Sequence, residues 1–214
     1  MEHVSLSFNG GKDCEYPPVR ALLPVDHIHP QALGATSRPI PAVCIPVPSP
    51  FPQLEAFIDE AAKAYSLDLF HCPLPEPEQP GMKQALEIYK ARFSHVDAIL
   101  IGTRRGDPHG AALTFRNPTD PGWPAFERIN PIINWSYSAV WEYLRKFKVP
   151  YCSLYDDGYT SLGSTYNTFR NPALLVQPCC GNCEPRYRPA YELVDGSLER
   201  AGRATGSAGL KLRE

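Results

Sequence analysis

Ser7-Phe8-Asn9-Gly10-Gly11-Lys12-Asp13-Cys14 is the stretch that decides the fold. It leaves the alternating run Val4-Ser5-Leu6-Ser7-Phe8, which predicts a short strand. Two glycines directly after a strand let the chain turn tightly and aim backbone N–H groups at an anion. Lys12 adds a positive charge and Ser7 a hydroxyl donor. Asn-Gly-Gly is also ordinary turn chemistry. From these residues alone, a plain strand exit and a phosphate cradle both stand. The spacing is not that of the Walker A loop, which sets four residues between its glycines.

Downstream, apolar runs and helical periods alternate. Ala42 to Val47 predicts a buried strand. Leu54, Phe57, Ile58, Ala61, Ala62 and Tyr65 mark one face of a helix, with Pro52 in its first turn. Leu67 to Phe70 predicts a strand, Pro73 to Pro80 an extended loop, and Met82 to Phe93 a second helix. Val96 to Gly102 and Ile129 to Ile133 predict further strands, with a loop over 103–127 between them. Tyr137, Val140, Trp141, Leu144 and Phe147 mark a third helix, capped by Ser136 and stopped before Pro150. Strands alternating with helices predict an α/β fold, a mostly parallel twisted sheet with helices on both faces. In such sheets ligands bind beyond the carboxyl ends of the strands. The expected organisation is a nucleotide-binding α/β domain over 1–178 and an arginine-bearing tail over 179–214 that packs on the active site.

Composition narrows the function classes. Lys plus Arg number 21 and Asp plus Glu 23, a formal charge of −2. That balance argues against nucleic acid as the main partner. No run approaches 18 apolar residues, so no membrane span is expected. The N-terminus lacks a secretory pattern, and seven cysteines, an odd count, fit reduced thiols in a cytoplasmic setting. No obligate protein partner is evident. Twenty-four prolines in 214 residues predict much loop. Cys179-Cys180-Gly181-Asn182-Cys183 contains a C-x-x-C without a second ligand pair, so free thiols are favoured over a metal site.

Three more segments carry chemistry. Gly102-Thr103-Arg104-Arg105-Gly106-Asp107-Pro108-His109-Gly110 follows a strand. Asp107 can hold a magnesium ion, and Arg104 and Arg105 can fork onto phosphate. A solvated basic loop fits the same residues. Leu154 to Gly163 is rich in tyrosine and glycine and predicts an ordered loop or a packing segment. Arg200 and Arg203, three apart, share a face of a C-terminal helix and can clamp a polyphosphate.

Together these segments resemble one family. Ser7 to Asp13 resembles the PP-loop of the phosphoadenosine phosphosulfate reductase-like superfamily, an adenine nucleotide α-hydrolase-like fold. Gly102 to Pro108, Arg128 to Trp135 and Leu154 to Gly163 resemble the eukaryotic FAD synthases, and Arg188 to Leu193 with Glu199 to Arg203 is similar to the fungal type. The likeness spans residues 5–14 and about 42–203. It implies AMP transfer from ATP to FMN with Mg²⁺, yielding FAD and pyrophosphate. It also implies roles. Asn9, Gly10, Gly11, Lys12 and Asp13 form the phosphate cradle, with Ser7 beside them. Asp107 holds Mg²⁺ or positions the flavin side, and Arg200 and Arg203 close over the ATP phosphates. Arg104 and Arg105 are weaker phosphate contacts. Trp135, Tyr155 and Tyr159 offer flat faces to adenine or isoalloxazine, and Trp135 fits equally as core beneath the third helix.

One departure stands out. Family members run from the PP-loop into a long apolar helix, whereas here Glu15-Tyr16-Pro17-Pro18 breaks helix. The expectation is a missing first crossover helix, from a lost or mis-assigned segment between about Cys14 and Val25. Two alternatives stay open at this point: a phosphoadenylyl-sulfate reductase-like enzyme, and a catalytically impaired nucleotide- or flavin-binding remnant.

Overall fold

The computed structural model describes residues 3–14, 39–73, 81–176 and 184–204. The expected break of the first crossover helix, the Pro-rich run from Leu74 to Pro80 and the C-x-x-C all lie outside them. In chain order the elements are β1 (Val4–Ser7), β2 (Ile40–Cys44), α1 (Pro52–Ala64), β3 (Leu67–His71), α2 (Met82–Arg92) and β4 (Ala98–Leu100). They continue with β5 (Arg116–Pro118), β6 (Glu127–Ile129), α3 (Tyr137–Lys146), β7 (Leu175–Val176) and β8 (Arg186–Tyr187). Two compact units divide them. One holds Phe57–Trp135 and the first two strands; the other holds Val47–Ala56 and the chain from Ser136 on. The expected boundary at 178/179 falls outside the described residues.

The first unit is built on a six-stranded sheet of order β3-β2-β1-β4-β6-β5. Every pairing is parallel except β5 with β6. β1 is interior to the sheet: Leu6 and the following Phe8, on one face, are fully buried, and Ser5, on the other face, is buried as well. The chain leaves β1 for β2 on one side, and β4 pairs on the other. The sheet reverses direction there, between β1 and β4. The β2–α1–β3 and β3–α2–β4 crossovers run in opposite directions, and right-handed connections then set α1 and α2 on opposite faces. α2 buries Ala85 and Tyr89 against Val43, Ile99 and Phe126. The Tyr89 phenol, pushed above its ordinary pKa mainly by burial, donates to Ser5 Oγ at 2.7 Å.

Two expectations are corrected here. Ile129 to Ile133 is not a strand: β6 ends at Ile129, and Ile132 and Ile133 are buried in a turn. Pro131 has no N–H for a ladder, and buried apolar residues in a turn mimic a strand run. The loop over 103–127 contains β5, three residues with no apolar alternation.

The second unit gathers around α3. Ser136 caps it as expected, its Oγ accepting from Ala139 N–H at 3.1 Å. Trp141 meets Tyr151 and Tyr155 edge-on at 5.1 and 5.3 Å, and Tyr191 at 6.0 Å. Beyond α3 the chain forms short 3-10 turns and the antiparallel pair β7–β8. The helix expected to carry Arg200 and Arg203 is absent. That stretch is a turn, Arg203 N–H donating to Arg200 C=O at 2.9 Å, and Arg203 bridges antiparallel to Thr168. A strand-like bridge withdraws backbone groups that an α-helix would need.

Replacing Tyr89 with Phe should cost about 1–2 kcal/mol, because the Ser5 hydroxyl loses its buried partner. Urea unfolding should give a lower midpoint with an unchanged slope; an unchanged midpoint would refute the assignment.

Candidate active site

The loops after β1 and after β4 leave the sheet at its point of reversal, where open α/β sheets take their ligands. The first is shaped from within. Asn9 Oδ1 accepts from Gly11 N–H at 3.0 Å, and Cys14 N–H donates to Gly11 C=O at 2.9 Å. The loops then meet backbone to backbone. A Cβ built on Gly102 would lie 2.2 Å from the Asp13 carbonyl oxygen, so only glycine allows this approach.

Four charged side chains join across that contact. Lys12 Nζ donates to Asp13 Oδ2 at 2.8 Å. Asp13 Oδ1 lies 3.2 Å from Arg104 Nε. Arg104 Nη2 donates to Asp107 Oδ1 at 2.9 Å, and the Arg104 backbone N–H donates to Asp107 Oδ2 at 2.7 Å. The cations are the deeper members, Lys12 2% exposed and Arg104 4%, whereas the carboxylates reach solvent. Buried charges persist only when paired, and two cations with two anions satisfy that demand.

Arg105 pins the second loop to the chain after β6. Its Nε donates to Asn134 Oδ1 at 2.8 Å and its Nη1 to Leu113 C=O at 2.8 Å. Asp107 keeps capacity for a cation, since each carboxylate oxygen has a second lone pair beyond the hydrogen bond it accepts. Among the described residues no three acidic, His or Cys side chains cluster. A Mg²⁺ ion needs no such cluster: one or two carboxylates suffice when phosphates and water complete the shell. Asp107, with Asp13 beside it, fits that donor set.

The second unit carries its own cations. Arg203 Nη1 donates to Leu162 C=O at 2.7 Å. Desolvation, then the neighbouring Arg200, lowers the Arg203 guanidinium pKa below its usual value. Arg200 itself is exposed. Of the aromatic candidates, Tyr155 is only 2% exposed and packs into the Trp141 cluster. Tyr159 is half-buried, edge-on to Phe51 at 5.3 Å. Trp135 is half-buried in the first unit. Sequence reasoning missed Gly102 as a clearance residue and Thr160 and Asn171 as buried polar groups. No spacing rule marks a residue whose value lies in what it leaves room for.

A parallel sheet with a glycine–lysine loop at its point of reversal defines a nucleotide-binding α/β protein of the PP-loop class. The chain matches the phosphoadenosine phosphosulfate reductase domain family over residues 3–170. It is 41% identical over 202 residues to the probable FAD synthase of Schizosaccharomyces pombe, covering 94% of this chain and 72% of that protein. It is 38% identical over 207 residues to the probable FAD synthase of Caenorhabditis elegans, covering 95% of this chain but 37% of the longer relative. The crystal structure of Candida glabrata FMN adenylyltransferase in complex with FAD and inorganic pyrophosphate superposes with a TM-score of 0.82 at 29% identity, over 94% of this chain and 81% of that one. The chain belongs to the FAD synthases within the phosphoadenosine phosphosulfate reductase domain family. Its described cysteines, 14, 44, 72 and 152, are all buried, and burial pushes the Cys72 thiol up to about 11.

Arg104→Met should destabilise the fold by about 3 kcal/mol, because it removes the shared partner of two carboxylates. Arg104→Lys should recover only part of that, since an ammonium cannot fork to both. Chemical denaturation of the two variants checks this; equal stability of Arg104→Met and the parent would remove the network from the account.

Proposed function

We propose that this chain transfers AMP from ATP to FMN, giving FAD and pyrophosphate. An FMN phosphate oxygen attacks the α-phosphorus of ATP. The new P–O bond forms as the bond to the bridging α,β-oxygen breaks, and that oxygen leaves on pyrophosphate. The attacking phosphate is already largely ionised near neutral pH, so no general base is required. The protein's tasks are then alignment and charge neutralisation. The observation that carries this reading is the buried Lys12, paired with Asp13 where two loops meet at the sheet's reversal point.

Asn9, Gly10 and Gly11 form the turn that cradles the ATP phosphates, with Ser7 at its entrance and Lys12 as the positive charge. Asp13 and Arg104 act by holding Lys12 and Asp107 in place. Arg105 anchors the second loop. Asp107 is the ligand for Mg²⁺, which when bound supplies Lewis-acid neutralisation of the phosphoryl oxygens. Arg200 and Arg203 contact ATP phosphate, and Trp135 and Tyr159 are the aromatic residues available to a ring. The likeness to FAD synthases of two kingdoms and to an FMN adenylyltransferase supports this assignment. No helix of the described residues is long and apolar enough to cross a membrane.

The assay is direct. Protein incubated with ATP, FMN and Mg²⁺ should form FAD, resolved by chromatography, and chelation of the metal should stop it. Lys12→Ala and Arg203→Ala should each lower kcat/KM by about 10²–10³, the scale of losing one charge-stabilising group. Absence of FAD from the folded parent protein would sink the proposal.

A further inference from the structure

Among the described residues, no carboxylate pairs with Arg203 to orient it. The pair Arg203 Nη1 to Leu162 C=O is one restraint, and the backbone of Gly163 is another. A Cβ at Gly163 would lie 2.4–2.6 Å from the guanidinium atoms Nη2, Nη1 and Cζ, so the cation rests flat against bare backbone. A cation in that setting is aimed only if the turn behind it is rigid.

The turn is held by two buried side chains, Thr160 within the Leu154–Gly163 segment and Asn171 beyond it. Thr160 is 1% exposed and Asn171 0%. Thr160 Oγ1 donates to Glu199 C=O at 2.6 Å. Asn171 Nδ2 donates to Leu198 C=O at 2.7 Å and to Thr160 Oγ1 at 2.8 Å. Asn171 Oδ1 accepts from Ala173 N–H at 2.9 Å, which fixes which way the amide points. Every bond in this chain therefore has one direction: amide to hydroxyl, hydroxyl to carbonyl. The two carbonyls it grips are those immediately before Arg200. Backbone bonds close the far side, Phe169 N–H to Gly202 C=O at 2.8 Å and Ala204 N–H to Asn167 C=O at 3.0 Å.

We infer that Thr160 and Asn171 are positioning residues that aim Arg203, acting through the carbonyls of Leu198 and Glu199, with Gly163 as the clearance that seats the guanidinium. This rests on the reading that Arg203 contacts substrate phosphate. A misplacement of a fraction of an ångström at a charge-stabilising group is costly in rate, so the pair governs turnover without touching substrate.

The test is a double-mutant cycle on the full chain, read as kcat/KM for ATP in the FAD-forming assay. Thr160→Val keeps the shape but removes the hydroxyl, and should lower kcat/KM about tenfold, the equivalent of one lost hydrogen bond. Thr160→Ser should recover it to within about twofold, since the donor returns. In the Arg203→Ala background, Thr160→Val should cause no further loss. A Thr160→Val enzyme as active as the parent, beside an impaired Arg203→Ala, overturns the inference and leaves the function standing. Losses that multiply across the cycle also overturn it, because the side chain then acts elsewhere. An Arg203→Ala enzyme as active as the parent overturns the phosphate reading and the inference together. Should Thr160→Val fail to fold, Gly163→Ala takes its place in the cycle. It crowds the guanidinium and leaves the side-chain bonds of Thr160 and Asn171 intact, and full activity in that variant overturns the inference.

Discussion

The approach of Gly102 to the carbonyl of Asp13 is the contact on which the site depends. Two loops that leave neighbouring parallel strands in the same direction must pass each other above the sheet. Here they pass with no side chain between them. That closeness brings Arg104 within reach of Asp13 on one loop while it holds Asp107 on its own. The result is a row of alternating charges in which the cations are sealed and the anions face outward. A water-filled gap between the loops would screen such a row, whereas low local dielectric makes each link stronger and each vacancy more costly.

The second unit solves a different problem. Its core is made of ring edges around Trp141, which bury large area with few rotatable bonds. Outside that core the chain has little regular structure, so its backbone groups are satisfied by turns and by side chains. Thr160 and Asn171 are the clearest case. They substitute for the ladder that a strand or helix would have supplied. The arginines are thus carried on a segment whose geometry is set by a few specific bonds.

The reach of sequence reasoning varied with the kind of signal. The strand before Asn9 and the helices marked by Leu54 and by Trp141 were legible because burial imposes a period on the residues. Ile132 and Ile133 misled for the same reason: they are buried, but in a turn after Pro131. β5 left no trace, since Arg116-Asn117-Pro118 has no apolar alternation and joins the sheet edge by backbone pairing and the Arg116–Glu127 ion pair. Arg200 and Arg203 suggested a helix by spacing alone, and the bridge between Thr168 and Arg203 forbids it.

The sequence by itself determined that a glycine-rich turn with a lysine follows a buried strand, and that strands and helices alternate into a mostly parallel sheet. These follow from local sterics and periodic burial, which each short stretch carries within itself. Only the tertiary structure decided that Lys12 and Arg104 are sealed cations rather than surface ones, and that Asn171 grips the turn before Arg200. Those facts depend on which distant segments meet, and a pairing of charges or a clearance of a few ångströms has no period along the chain to reveal it.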